Sequence, residues 1–84
     1  MSKIEGKLIY EKDIDRYVIH GTGKDEGRRY ELHCGNYIEC LLQGHWVGAT
    51  VEMDEEGKYY LTEPALDIAG VARSKLTVKR EWGY

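Results

Sequence analysis

The chain has 84 residues and a formal net charge of −3, from 12 basic and 15 acidic side chains. This charge disfavours bulk attraction to nucleic acid or anionic lipid, and two cysteines are too few for a disulfide framework. No apolar run approaches the ~20 residues of a membrane helix and no signal peptide begins the chain, so we expect one cytoplasmic domain over residues 1–84.

Short alternating runs of apolar and polar residues, separated by glycine and acidic turns, indicate strands rather than helices. The first two strands are predicted at residues 7–10 and 16–20, and the aspartate-containing turn between them makes a hairpin. Residues 21–29 are rich in glycine and charge, which favours a loop. Further strands are predicted at residues 30–32, 37–43, 46–54 and 58–62.

Pro64 interrupts this pattern, because proline cannot donate a hydrogen bond to a strand ladder. The segment after it is too short for an independent helix. We therefore expect one helical turn near residues 64–70, with Leu66 and Ile68 closing one end of the fold. The last strand is predicted at residues 76–80.

These elements predict a mainly β fold, either a small SH3-like antiparallel barrel or a curled meander, with five to six strands and one short helical turn near residues 64–70. An open sheet of four to five strands is the alternative. A half-closed barrel leaves an edge strand, and the segment 75–80 at such an edge would pair with a second copy in a homodimer.

Alternation along the two longest strands separates an inner from an outer face. The apolar set predicted to face inward comprises Ile38, Cys40, Leu42, Val47, Ala49, Val51 and Met53. Tyr37 and Trp46 then face outward, beside Glu52, and one of Tyr59 and Tyr60 must also face outward, since adjacent strand residues alternate. Outward aromatic rings flanked by charge are typical of protein interfaces and of platforms that stack single-stranded nucleic acid. The alternative is that these rings cover a second face of the barrel beneath the loop 21–29.

The chain also resembles a family of short proteins with a domain of unknown function. The similar segments are Gly6-Lys7-Leu8, Tyr17, Leu32-His33-Cys34-Gly35, Trp46-Val47, Val51-Glu52, Tyr60-Leu61 and Leu66-Asp67-Ile68-Ala69-Gly70. The family occurs in Gram-positive bacteria, their phages and their mobile elements. The resemblance implies a small β-barrel and an origin on mobile DNA, and it implies no activity, cofactor or catalytic residue.

His33, Cys34, Cys40 and His45 are the residue types that could ligate zinc. Their spacing contains no CxxC pair, and the shared face with Ile38 favours a core position for Cys40. Cys34 with a histidine base is a candidate nucleophile, but adjacent strand residues point to opposite faces. We therefore expect no metal, no cofactor and no enzymatic activity.

Two functions remain open on the sequence. The first is a non-enzymatic protein-binding module of a phage or mobile element, in its narrower form an inhibitor of a host defence or regulatory protein. Its candidate binding residues are Tyr37, Trp46, Tyr60, Glu52, Arg28 and Arg29. The alternative is a small nucleic-acid-binding barrel that uses the outward aromatic residues with the basic side chains of Arg28, Arg29, Arg73, Lys75, Lys79 and Arg80.

Overall fold

The computed structural model of the chain describes residues 2–83. Over that range it contains seven β-strands, a 3₁₀ turn at Gly23–Asp25 and one α-helix. The strands are β1 (Ser2–Glu11), β2 (Arg16–Gly21), β3 (Arg29–Glu31), β4 (Tyr37–Leu42), β5 (His45–Met53), β6 (Tyr59–Leu61) and β7 (Thr77–Trp82), and the helix α1 is Ile68–Arg73. The prediction of a mainly β fold with one short helix is confirmed, with seven strands instead of five to six.

The first strand is longer than the sequence predicts. It begins at Ser2 rather than at Lys7, because its first half pairs with β7 from Ser2 opposite Trp82 to Lys7 opposite Thr77. Gly6, which precedes the predicted strand, lies within β1. A Cβ atom at Gly6 would lie 1.9 Å from the carbonyl oxygen of His20, so only glycine allows β1 and β2 to approach this closely.

The strand order is β3-β2-β1-β7-β4-β5-β6, and every pair is antiparallel. Two three-stranded meanders therefore lie on either side of β7, which corrects the expectation of one simple meander. The edge position expected for segment 75–80 is also wrong, because β7 pairs with both β1 and β4. The edges of this sheet are β3 and β6. Pairing between distant strands leaves no local pattern in a sequence, which is why alternation alone did not reveal it.

The sheet curls so that one face encloses the core. The predicted inward orientation is confirmed for Ile38, Cys40, Ala49 and Val51, which are all buried, while Leu42 and Val47 are partly buried against the core. The prediction that Met53 faces inward is wrong, because Met53 ends β5 and is exposed. The core is completed by buried side chains from β1, β2, β6 and β7, from α1 and from the segments that follow β3 and precede α1, namely Ile4, Leu8, Ile19, Leu32, Leu61, Leu66, Ile68, Val71 and Val78.

The helix lies later in the chain than the sequence predicts. It begins after Asp67, whose side chain accepts a hydrogen bond from the backbone N–H of Gly70 at 3.2 Å, and it ends at Arg73. Aspartate is a better N-cap than proline, so Asp67 and not Pro64 sets the first turn. Leu66 and Ile68 are buried as predicted. Among residues 2–83, no helix has the length and apolar character needed to cross a membrane.

Candidate functional site

Three large aromatic side chains are exposed on the outer face of the second meander. Tyr37 on β4 is 52% exposed, Trp46 on β5 is 37% exposed and Tyr60 on β6 is 45% exposed. The neighbouring positions that point the other way, such as Ile38, Ala49 and Leu61, are buried. The alternation predicted from the sequence therefore holds for Tyr37 and Trp46, and of the pair Tyr59 and Tyr60 it is Tyr60 that faces outward, while Tyr59 packs against the core.

Tyr37 and Trp46 belong to one ordered cluster. The Tyr37 ring lies over Gly48, where a Cβ atom would be only 1.7 Å from the tyrosine hydroxyl oxygen. The Lys79 ammonium group is 4.1 Å from the centre of the Trp46 ring, within range of a cation–π interaction. The same ammonium group is 3.9 Å from a carboxylate oxygen of Glu39. We call the cluster of Tyr37, Glu39, Trp46 and Lys79 the outer aromatic face.

Tyr60 and Glu52 are neighbours of each other but lie apart from Trp46. Glu52 is opposite Tyr60 in the β5–β6 ladder, whereas Trp46 is opposite Leu41 in the β4–β5 ladder. Glu52 lies six positions after Trp46 on β5, which corresponds to about 20 Å along a strand. Tyr60 is thus on the same face of the sheet but outside the cluster that contains Trp46.

A groove of about 310 Å³ borders the outer aromatic face. It forms where β4 and β7 separate, because their pairing is limited to Glu39 opposite Lys79 and Cys40 opposite Val78. Its lining combines residues at the start of β4 with the end of β7 and the glycine after it, namely Tyr37, Glu39, Lys79, Arg80, Glu81, Trp82 and Gly83. The groove therefore gives the exposed Tyr37 ring a concave neighbour on the sheet surface.

Arg80 closes the inner side of this groove. Its Nη1 donates a hydrogen bond to the backbone carbonyl of Tyr37 at 2.8 Å. Its guanidinium carbon is 5.1 Å from the Tyr30 ring and 6.0 Å from the Trp82 ring. The Nε of Arg80 is buried without a hydrogen-bond partner within the described chain. The sequence predicted Arg80 as part of a basic surface. However, Arg80 alternates with Val78 and Trp82 along β7, which indicates that it lies on the inner face of the strand.

Arg28 and Arg29 do not join the outer aromatic face. Arg28 donates to the carboxylate of Asp25 at 2.8 Å and to the backbone carbonyl of Lys3 at 2.8 Å. Arg29 lies on the edge strand β3 and pairs with Glu11 and Glu31. The hydrogen bond from Arg29 is the main cause that holds the pKa of the Glu11 carboxyl below its ordinary value, and the hydrogen bond with His20 lowers it further. These two predicted binding residues therefore pair with acidic residues of the first meander and lie apart from the outer aromatic face.

The four residues that could ligate zinc, two histidines and two cysteines, are not brought together. Cys40 lies in the core, and burial raises the pKa of its thiol to about 11, which keeps it protonated. Cys34 is exposed in a turn beside Val51, whose carbonyl accepts a hydrogen bond from Gly35. His45 begins β5, about 20 Å from Val51 along that strand. In the part of the chain that the structure describes, no three histidine, cysteine or acidic residues form a metal-binding group.

The fold and its surface define a class of small curled antiparallel β proteins with ordered, exposed aromatic residues on one face. Residues 6–76 match the model of the family described as Domain of unknown function (DUF5348), and the chain belongs to that family. This confirms the resemblance to a family of unknown function. Neither the comparison with curated proteins nor the comparison with solved structures finds a match. The narrower expectation of an SH3-like barrel stays a prediction.

Proposed function

We propose that this protein is a non-enzymatic protein-binding module that holds a partner protein on the outer aromatic face. The observation that carries the proposal is the exposure of Tyr37 and Trp46 in an ordered cluster beside a groove. Exposed aromatic side chains held in place by their neighbours are favoured as anchors, since they bury a large area at a small cost in conformational entropy.

The charges around the cluster favour a protein partner over nucleic acid. They alternate in sign, because Lys79 lies near Glu39 and opposite Glu5, while Lys3 lies opposite Glu81. Interfaces between proteins combine an aromatic centre with a mixed polar rim, whereas nucleic acid requires a continuous basic surface. Several basic side chains of the alternative proposal already contact carboxylate or carbonyl groups of this chain.

The proposed setting is the cytoplasm of a Gram-positive host, with the gene carried by a phage or mobile element. This origin is what the resemblance seen in the sequence implies, and the net charge of −3 supports a partner with a basic surface. The narrower proposal is that the partner is a host nucleic-acid enzyme or regulator, which this protein inhibits by occupying its basic channel.

The test is affinity capture from a host lysate with three purified baits. The baits are the native chain, the double variant Tyr37→Thr/Trp46→Thr, and a control variant Ile14→Ala. Threonine keeps the preference for strand structure. Ile14 is also an exposed apolar side chain, but it lies in the turn between β1 and β2. Thermal unfolding of each bait establishes that it is folded.

We expect the native chain and the control to retain the same host protein at a fixed stoichiometry. The double variant should bind that protein at least ~100-fold more weakly when the complex is rebuilt from purified components, because two aromatic anchors are lost. Retention by the double variant, or no captured protein, would contradict the proposal. Capture that disappears after nuclease treatment, or that falls steeply between 50 and 200 mM salt, would instead support nucleic-acid binding.

A further inference from the structure

A second groove lies where the first hairpin meets β6 and the start of α1. It also has a volume of about 310 Å³. Three tyrosine rings form a row along it. The Tyr10 and Tyr17 ring centres are 5.2 Å apart with planes tilted by 60°, and the Tyr17 and Tyr59 ring centres are 6.0 Å apart with planes at 87°. We call this the tyrosine groove.

The tyrosine groove is fixed by hydrogen bonds between segments that are distant in the chain. The Tyr59 hydroxyl donates to the backbone carbonyl of Asp15 at 2.9 Å, which ties β6 to the turn after β1. The Tyr10 hydroxyl donates to the Asp15 side chain. Ile68 and Ala69 of α1 complete one wall. The site is therefore preformed, as small binding sites usually are.

Two carboxylates make the tyrosine groove electronegative. Asp15 and Asp67 both line it, and Lys58 is the basic residue among its lining. The Lys58 ammonium group is exposed and 3.7 Å from Glu56. The hydrogen bond to Asp15 is the main cause that raises the pKa of Tyr10. Burial is the main cause that raises the pKa of Tyr17, and the negative charge of Asp67 raises it further.

The Asp67 carboxylate is available to a ligand. Its contacts with Gly70 at 3.2 Å and with Arg73 at 3.8 Å both use Oδ2. The Arg73 contact is long and exposed to solvent, so it contributes little stability and is easily replaced. Asp15 receives the Tyr10 hydroxyl on Oδ1 alone. Each carboxylate thus retains an oxygen for a donor that enters from outside.

We propose that the tyrosine groove binds an arginine side chain presented by a peptide segment of a partner protein. A planar guanidinium group stacks on tyrosine faces and donates directional hydrogen bonds to carboxylates, which a lysine ammonium group does less well. This protein already holds one of its own arginines near aromatic rings, since the guanidinium carbon of Arg80 lies 5.1 Å from the Tyr30 ring centre and 6.0 Å from the Trp82 ring centre. The proposal uses a different surface from the outer aromatic face and does not depend on it.

The experiment is an NMR titration of the full ¹⁵N-labelled chain with two capped tripeptides. One is acetyl-Gly-Arg-Gly-amide, and the other carries citrulline, which has the shape of arginine without its charge. We expect saturable shifts from the arginine peptide at the amides of the groove, near residues 15–17, 57–59 and 67–70. The citrulline peptide should bind at least ~10-fold more weakly, because the charge-assisted hydrogen bonds are lost.

Variants separate the groove from general charge effects. Asp15→Asn and Asp67→Asn each remove one negative charge and should each weaken the arginine peptide several-fold. Both variants should fold, because asparagine tolerates the positive φ of 52° at position 15 and is an equally good N-cap at position 67. Glu26→Gln makes the same charge change at an exposed site in the loop after the 3₁₀ turn and should bind as the native chain does.

Four results would overturn the proposal. They are equal binding of the citrulline peptide, an equal loss in Glu26→Gln, shifts spread over the outer aromatic face, and no saturable shift up to about 10 mM peptide. The variant Tyr37→Thr/Trp46→Thr should bind the arginine peptide like the native chain. A failure of the outer aromatic face and a failure of the tyrosine groove are therefore distinguishable.

Discussion

Asp25 lies in the 3₁₀ turn after β2 with its residue only 6% exposed. Its carboxylate accepts the backbone N–H of Glu5 at 2.9 Å and Nη1 of Arg28 at 2.8 Å. The hydrogen bond from Glu5 is the main cause that holds the pKa of Asp25 below its ordinary value of 3.8, and the hydrogen bond from Arg28 lowers it further. A buried carboxylate that is satisfied only in its charged form makes the attachment of this loop to β1 sensitive to acid.

We therefore predict that Asp25→Asn destabilises the protein at pH 7 and that the loss shrinks in acid. The folded pKa of Asp25 is depressed, so its stabilising effect is present above about pH 4 and is lost as the pH falls through the folded pKa. Urea unfolding of both chains between pH 7 and pH 3 measures the difference. The control Glu26→Gln should show no such difference, and a gap between the native chain and Asp25→Asn that is constant with pH would contradict the argument.

At the scale of elements, the β1–β2 hairpin and the β4–β5 hairpin each contain a glycine under a neighbouring group. The carbonyl oxygen of His20 lies 1.9 Å from where a Cβ at Gly6 would be, and the hydroxyl of Tyr37 lies 1.7 Å from where a Cβ at Gly48 would be. The first obstacle is backbone within a paired strand, whereas the second is the end of an exposed side chain that can rotate away. The two strands should therefore respond differently to the same added methyl group.

We predict that Gly6→Ala lowers the free energy of unfolding by about 1–3 kcal/mol or more, because the strands must separate. For a domain of this size that is a fall in Tm of roughly 5–20 °C. Gly48→Ala should change the unfolding free energy by less than about 1 kcal/mol, while it displaces Tyr37 and weakens binding at the outer aromatic face. Calorimetry of both variants checks this, and similar losses in the two would contradict it.

The elements that a sequence can predict are those set by local alternation. Trp46 was correctly placed on the outer face, because Ala49 and Val51 beside it repeat every second residue. The first hairpin and the turn that contains Gly57, with φ of 81°, were predictable for the same local reasons. The start of α1 was misplaced because Pro64 suggested a helix start that the cap at Asp67 overrides.

Neither groove could be predicted from local alternation in the sequence, because each is built from strands that meet only after the sheet has curled. The tyrosine groove takes Tyr10 from β1, Tyr17 from β2 and Tyr59 from β6, and only the first two are close in sequence. The other groove exists because β4 and β7 part after Lys79. Nothing in the spacing of these residues indicates that their strands are neighbours.

At the scale of the whole molecule, β7 joins two halves that otherwise share few strand contacts. It pairs with β1 from Thr77 to Trp82 and with β4 at Val78 and Lys79. Val78 is fully buried in the common core, and Trp82 packs on Tyr30 with ring centres 4.6 Å apart. The match to the family ends at residue 76, just before this strand begins. The sheet of this chain is nevertheless continuous only through β7.

We predict that a chain ending at Leu76 does not fold cooperatively, whereas a chain ending at Gly83 folds like the native protein. Without β7, the adjoining edges of β1 and β4 lose their hydrogen-bond partners and the core loses Val78, and a domain of ~80 residues has little stability to lose. Amide shift dispersion in NMR spectra and the sharpness of thermal unfolding measure the outcome.

A peptide of residues 77–84, added to the shortened chain, should restore dispersed shifts, because β7 forms its contacts by strand pairing rather than by a covalent turn to its neighbours. A sharp unfolding transition in the shortened chain alone would show that the two meanders pack stably without β7, and the central position of that strand would then not determine the fold.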